Sequence, residues 1–263
     1  MKTKFLCVII TAVCIIVLLL NHIFISEFET VFYPTAMLTE VKLNLEHDAD
    51  IYTYSAVQGA CTDGRYAYFA IDNGSTTLLK YDIKNWNLVK KATHTTLGHA
   101  NDMTYNKNTG QIIVSNNSPD FDTITFLDPE TLKITTSKKI SHNIYSISYN
   151  PYNDRYVVGI SGGFDFAILN SNFETISTHK GYNSSFIRQG NDCDRNYIYF
   201  AQSGNAENII VVYNWSGELV DIVNISLPHE IENIFHTKDT MYVSLFQYTN
   251  TVCKINISKK TYR

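Results

Sequence analysis

The chain has 263 residues, with 21 Lys and Arg against 25 Asp and Glu, and a net charge of −4. The length allows one large domain plus an additional segment, and the weak negative charge argues against nucleic-acid binding, which needs a strong positive field. The 18 Tyr and 14 Phe favour β-strands, because aromatic side chains suit the half-buried surface of a sheet.

The N-terminal segment is strongly apolar. After Lys2 and Lys4, an apolar run extends from Phe5 to Leu20 and continues in Ile23–Ile25. Its length and positive flank predict a single-pass membrane anchor over residues 1–25, with its N-terminus in the cytoplasm, followed by a linker over residues 26–37. A cleaved signal peptide and a buried soluble helix are the alternatives. We expect the remaining chain on the extracytoplasmic face, membrane-anchored, or secreted if the signal is cleaved.

A pattern of about 42–45 residues recurs five times after this segment. Each copy contains a polar turn, an apolar strand, a second polar turn and another apolar run. A repeat of this length, made of short strands and hairpin turns, is typical of a β-propeller blade. The sequence therefore predicts an all-β, five-bladed β-propeller with blades at 56–99, 100–143, 144–186, 187–230 and 231–263.

The fifth repeat lacks the outer strand that the other four contain. Its third strand, Val252–Ile257, is followed by only a few residues. A predicted strand at Glu40–Leu45, ahead of the first blade, can supply the missing one. We therefore expect residues 38–47 to close the ring, which removes two exposed sheet edges. The propeller domain then spans residues 38–263.

A ring of polar residues is predicted at one mouth of the central channel. Alignment of the repeats places it near the start of each innermost strand, at Gln58, Asn101, Tyr145, Gln189 and Glu232. Five further polar residues lie close to these positions: His99, Asp102, Arg188, His229 and Glu230. Since unusual polar residues concentrate here, we expect any small-ligand site at this mouth. A ring that binds only water is the alternative.

Glu232 is the candidate catalytic residue. A carboxyl group in a narrow channel is partly desolvated, which raises its pKa and suits proton transfer. We do not expect Glu230 to form a catalytic pair with it.

Three histidines occupy equivalent positions ahead of inner strands. His99, His142 and His229 precede the innermost strands of three blades, and with a carboxylate they have the composition of a transition-metal site. Because loop histidines more often satisfy turn backbones, we expect no cofactor. The spacing of Cys61, Cys193 and Cys253 suggests neither zinc nor a redox pair, and their disulfide state stays open.

Blade five contains His229-Glu230-Ile231-Glu232 and, later, Phe246-Gln247-Tyr248-Thr249. This resembles the last blade of the plant and bacterial type of glutaminyl-peptide cyclotransferase, a five-bladed propeller with Asn-Glu-Leu-Glu and Trp-Gln-Thr at these places. Gln58-Gly59 also resembles that family's Gln-Gly in the first blade. The resemblance implies the same blade count and carries Glu230, Glu232 and Gln247 over as site residues. The family's first-blade Glu-Ser-Thr-Gly corresponds to residues 70–73, which lack its glutamate, and only Arg188-Gln189-Gly190 matches its fourth-blade Trp-Glu-Gly-Trp-Gly.

These observations give three functional expectations. The first is a monomeric, extracytoplasmic, membrane-tethered propeller that binds a small molecule, peptide or protein at the channel mouth. The second is a cyclotransferase-like enzyme, or another propeller lyase, that uses Glu232. The third is a purely structural role.

Overall fold

The structure is a computed structural model that describes residues 37–42, 56–72, 74–204, 207–225, 230–238, 240–246 and 251–256. Within these residues the chain is all-β, with twenty strands in five four-stranded antiparallel sheets and no helix. The described part of the chain accordingly contains no helix that could cross a membrane. The predicted anchor at residues 1–25 and nearly all of the predicted linker lie outside the described residues.

Each of the first four sheets consists of four consecutive strands. In the first, β2–β5 span Ala56–Thr62, Tyr66–Asp72, Thr76–Asp82 and Asn87–His94. In the second, β6–β9 span Asp102–Asn106, Gln111–Ser115, Thr123–Leu127 and Ile134–Lys139. In the third, β10–β13 span Ile144–Asn150, Arg155–Ile160, Phe166–Asn170 and Thr175–His179. In the fourth, β14–β17 span Ile187–Cys193, Tyr197–Ser203, Asn208–Asn214 and Leu219–Ile225.

The fifth sheet combines the two ends of the propeller domain. Its strands β18–β20 span Glu230–His236, Met241–Phe246 and Thr251–Asn256, and β1 spans Met37–Lys42. Strand β1 pairs antiparallel with β20, from Met37 opposite Asn256 to Lys42 opposite Thr251. The closing strand was therefore predicted in the right segment, although it begins before Glu40; residues 43–47 lie outside the described residues.

The five sheets form a closed ring around an axis. The first strand of each of the first four sheets (β2, β6, β10 and β14) and β18 in the fifth contact one another in cyclic order, and β18 returns to contact β2. Within the described residues there is thus one sheet for each predicted repeat. Because the sheets are related as blades of a ring, all five inner strands run the same way along the channel.

The hydrophobic core is divided among the interfaces between neighbouring blades. Each of the five buried clusters joins residues of two consecutive sheets. Where the last blade meets the first, Phe69 and Phe235 pack edge to face with ring centroids 5.8 Å apart. Burial of one such side chain contributes about 1.5–3 kcal/mol, so each blade depends on its neighbours for stability.

The turn between the inner and second strands is built by the same hydrogen bonds in two blades. Asp63 Oδ1 accepts from the backbone N–H groups of Arg65 and Tyr66, and its Oδ2 accepts from Tyr68. Asp194 accepts in the same way from Asn196, Tyr197 and Tyr199. Asn106 and Asn150 occupy the equivalent positions in blades two and three, where their Oδ1 atoms accept from turn N–H groups. Asp and Asn are favoured here because their side chains imitate a backbone turn.

Asp102 joins four of the five blades at the axis. Its side chain is fully buried, and its carboxylate accepts from the backbone N–H groups of Met103 (2.8 Å), Ile147 (2.9 Å) and Asn191 (3.0 Å). The side-chain amide of Asn233 is the fourth donor. Asn233 reaches this position because Gly190 has no Cβ to block it. Burial raises the pKa of Asp102, and the four donors oppose that rise because they stabilise the ionised carboxylate.

Replacing Asp102 by Asn should destabilise the propeller strongly. Each carboxylate oxygen accepts from two donors, so an amide NH₂ in either orientation faces two N–H groups and leaves them unpaired. We expect a loss of about 2–5 kcal/mol in the free energy of unfolding, measured by urea denaturation. Asp165→Asn, which removes only a surface ion pair with Lys180, is the control. Equal stability of the two variants would contradict the role assigned to Asp102.

Removal of β1 should also destabilise the whole ring. A chain that begins at Met37 keeps the strand, whereas one that begins at Leu43 exposes the backbone edge of β20. We expect the shorter chain to lose several kcal/mol out of a total stability of about 5–15 kcal/mol, seen as a lower thermal midpoint. Coincident melting curves for the two chains would show that β1 contributes nothing to closure.

Candidate functional site

The predicted polar ring coincides with irregularities in the inner strands. The pairing register shifts at Gln58 in β2, at Tyr145 in β10, at Gln189-Gly190 in β14 and at Glu232 in β18. Each shift is a β-bulge, in which an extra residue has no direct partner across the strand pair. The fifth member, Asn101, immediately precedes β6. Bulges redirect side chains and are common beside active sites. The backbone around the ring is therefore of a kind that is found at functional sites.

One half of the ring is aromatic and cationic. The guanidinium of Arg188 lies 4.8 Å from the ring centroid of Tyr145 and donates to the carbonyl oxygens of Ile160 (3.3 Å) and Gly163 (2.5 Å). Asn101 donates from Nδ2 to the Tyr145 carbonyl oxygen at 2.8 Å. Burial raises the pKa of Tyr145 above its usual range, although the charge of Arg188 opposes this. Tyr145 therefore remains a neutral phenol at physiological pH.

The other half of the ring is acidic. Glu232 is only 6 % exposed, and burial followed by the charge of Glu230 raises its pKa to about 8. Glu230 in turn accepts a hydrogen bond of 2.7 Å from Gln189 Nε2. The two carboxyl groups thus influence each other electrostatically, and the expectation that they form no catalytic pair stays a prediction. Within the described residues, no side chain or backbone group donates a hydrogen bond to Glu232.

The remaining predicted site residues are dispersed. His99 Nδ1 lies 2.6 Å from Asp72 Oδ2, and His142 Nε2 lies 2.8 Å from Thr175 Oγ1. The described part of the chain contains no cluster of three or more potential metal ligands. His229 and Gln247 lie outside the described residues. The expectation for Asp102 is wrong, because protein donors occupy both of its oxygens and its side chain is inaccessible to a ligand.

A cavity that the sequence did not predict lies at the opposite end of the channel. The cavity has a volume of about 300 Å³ and lies where the inner strands end and the turns to the second strands begin. His236 Nδ1 lies 2.5 Å from Asp192 Oδ2 in its wall. The two carboxylates Asp192 and Asp194 raise the pKa of His236 to about 9 against the effect of burial. The lining residues are the last residues of the inner strands and the turns that follow them, and no sequence signal separated them from ordinary strand ends and turn formers.

Comparison with known proteins supports the fold and not a family. No protein-family model matches the chain, and no curated protein is similar to it. Among solved structures, glutaminyl cyclase from Myxococcus xanthus has a TM-score of 0.64 at 10 % identity, covering 85 % of this chain and 97 % of that one.

Two other solved structures have a TM-score of 0.50. Virginiamycin B lyase from Staphylococcus aureus is 10 % identical, with 85 % of this chain and 100 % of that one covered. The WD40 repeats of RRP9 are 8 % identical, with 84 % and 97 % covered. At these identities the likeness establishes a propeller fold, and it assigns no function to this chain.

The stability contributed by Glu232 should depend on pH. Because its folded pKa is raised from its ordinary value of 4.5 to about 8, the folded state retains a proton that the unfolded state loses, and stability falls as the pH rises through this range. Glu232→Gln removes this titration. The difference in the free energy of unfolding between the variant and the unmodified protein should therefore shift in favour of the variant between pH 4 and pH 8.5, by up to about 5 kcal/mol. Urea denaturation at both pH values measures the difference, with Glu218→Gln as an exposed control. A difference that stays constant with pH would contradict the raised pKa.

Proposed function

We propose that the bulged ring at the channel mouth binds a small polar ligand whose ammonium or amide N–H groups meet Glu230 and Glu232. The observation that carries this proposal is the state of Glu232, a buried carboxyl group without a hydrogen-bond donor among the described residues. In this desolvated setting a hydrogen bond from a ligand to the carboxyl group is stronger than it is in water. A ligand that donates to Glu232 therefore gains free energy on binding.

The other ring residues complement such a ligand. Gln58 and Gln189 are buried amides on the adjoining inner strands, and each supplies both a donor and an acceptor. Arg188 and Tyr145 supply a cation and an aromatic surface. A ligand with an amino group beside a carbonyl group, such as the N-terminus of a peptide, fits this combination.

The second candidate is cyclisation of an N-terminal glutamine. In this reaction the α-amino nitrogen forms a bond to the side-chain amide carbon and ammonia leaves, so one proton moves from the attacking amine to the leaving nitrogen. Glu232 is favoured as the carrier because a carboxyl group with a pKa of about 8 can both accept and return a proton near neutral pH. The shared fold with a glutaminyl cyclase is consistent with this candidate, whereas residues 70–73 lack the family's first-blade glutamate.

We further propose that the propeller acts as a monomer on the extracytoplasmic side of a membrane, tethered by residues 1–25. The support is the apolar run of Phe5–Leu20 beside two lysines. If the mature protein were released after cleavage near residue 26, the same site would act in a secreted protein.

A peptide titration separates the two candidates. Binding of the dipeptide Gln-Ala is measured by calorimetry and release of ammonia is measured in parallel, for the unmodified protein, Glu232→Gln and the control Glu218→Gln. If the site binds without chemistry, Glu232→Gln weakens binding at least tenfold and no ammonia appears. If the site is catalytic, the unmodified protein releases ammonia and Glu232→Gln lowers the rate by about 10²–10⁴. Binding unchanged by Glu232→Gln would contradict the first candidate, and an unchanged rate of ammonia release would contradict the second.

A further inference from the structure

We propose that the cavity at the turn end of the channel is a second binding site, specific for a small organic anion with one aromatic ring. This cavity contains none of the ring residues discussed above. It lies at the last residues of the inner strands and the turns that follow, whereas the polar ring lies near their first residues. The proposal is therefore independent of the function assigned to Glu232.

The first observation is a repeated arrangement of positive charge. The turn between the inner and second strands has an equivalent second residue in each blade. From blade one to blade five, this residue is Gly64, Lys107, Pro151, Arg195 and Lys238. Three of these five are cations, and all three line the cavity and are exposed to solvent. They belong to blades two, four and five. Cations converging from different blades on one cavity are suited to a carboxylate or phosphate group.

The acidic residues of the cavity are engaged by other groups. Asp63 and Asp194 each accept three hydrogen bonds from their own turns and from a buried tyrosine. Asp192 is paired with His236 and also accepts from the backbone N–H of Cys193. With His236 protonated, this pair is neutral overall. The three exposed cations therefore exceed the two remaining carboxylates, and an approaching ligand meets the cations first.

The second observation is the aromatic lining. Tyr105, Tyr149, Tyr152 and Phe235 contribute to the cavity wall. The guanidinium of Arg195 lies 5.2 Å from the ring centroid of Tyr152 and is thereby held over an aromatic face. The volume of about 300 Å³ is at the small end of ligand pockets. It suits a single ring bearing an anionic group better than a nucleotide or a polymer.

Binding of phenyl phosphate tests the proposal, with phenol and inorganic phosphate as partial probes. Titration calorimetry at low ionic strength should show phenyl phosphate binding more tightly than either. Lys107→Gln and Lys238→Gln should each weaken it about three- to tenfold, and raising the salt should do the same. Lys133→Gln, an exposed lysine of blade two outside the cavity lining, should have no effect. Glu232→Gln should also leave this binding unchanged.

Three results would overturn the proposal. The first is no heat of binding with millimolar phenyl phosphate. The second is equal affinity for phenol and phenyl phosphate, since the anionic group would then contribute nothing. The third is equal weakening by Lys107→Gln, Lys238→Gln and Lys133→Gln, which would indicate a general charge effect. None of these outcomes depends on activity at the bulged ring.

Discussion

The buried carboxylate of Asp102 is the constraint on which the centre of this propeller depends. Every inner strand is the edge of its sheet on the channel side, so its backbone N–H groups that face the axis have no neighbouring strand. Asp102 accepts hydrogen bonds from two of these N–H groups, one in β10 and one in β14, and from the side-chain amide of Asn233 in β18. One residue of the second blade thereby fixes the inner strands of the next three. The positions of these strands, which shape both ends of the channel, therefore depend on Asp102.

The two ends of the channel differ in chemistry because they are made by different backbone features. At the start of the inner strands, bulges place buried amides, a tyrosine and a carboxyl group around the mouth. At their end, hydrogen-bonded turns place exposed cations and aromatic rings around a cavity. The Asp102 cluster lies between them. Substitutions at one end can therefore change the side chains there while the other end keeps its geometry.

The repeat, its blade limits and the closing strand were predictable because they depend on local patterns and on the two-residue periodicity of strands. The ring positions were predictable from repeat alignment, yet their bulges were not, since a bulge depends on the register of two strands. The role of Asp102 was inaccessible for a related reason. Its partners Ile147, Asn191 and Asn233 lie 45, 89 and 131 residues away, and only the folded ring brings them together.

The division of the core into five interfaces has a consequence for how this protein opens. In a linear repeat protein, a terminal unit has one neighbour and can unravel first. Here every blade has two neighbours, because the last sheet packs on the first through Phe69 and Phe235. Release of any blade uncovers apolar surface on both sides of the gap. Slow amide hydrogens in all five inner strands should therefore exchange together, through one global opening rather than by fraying from an end.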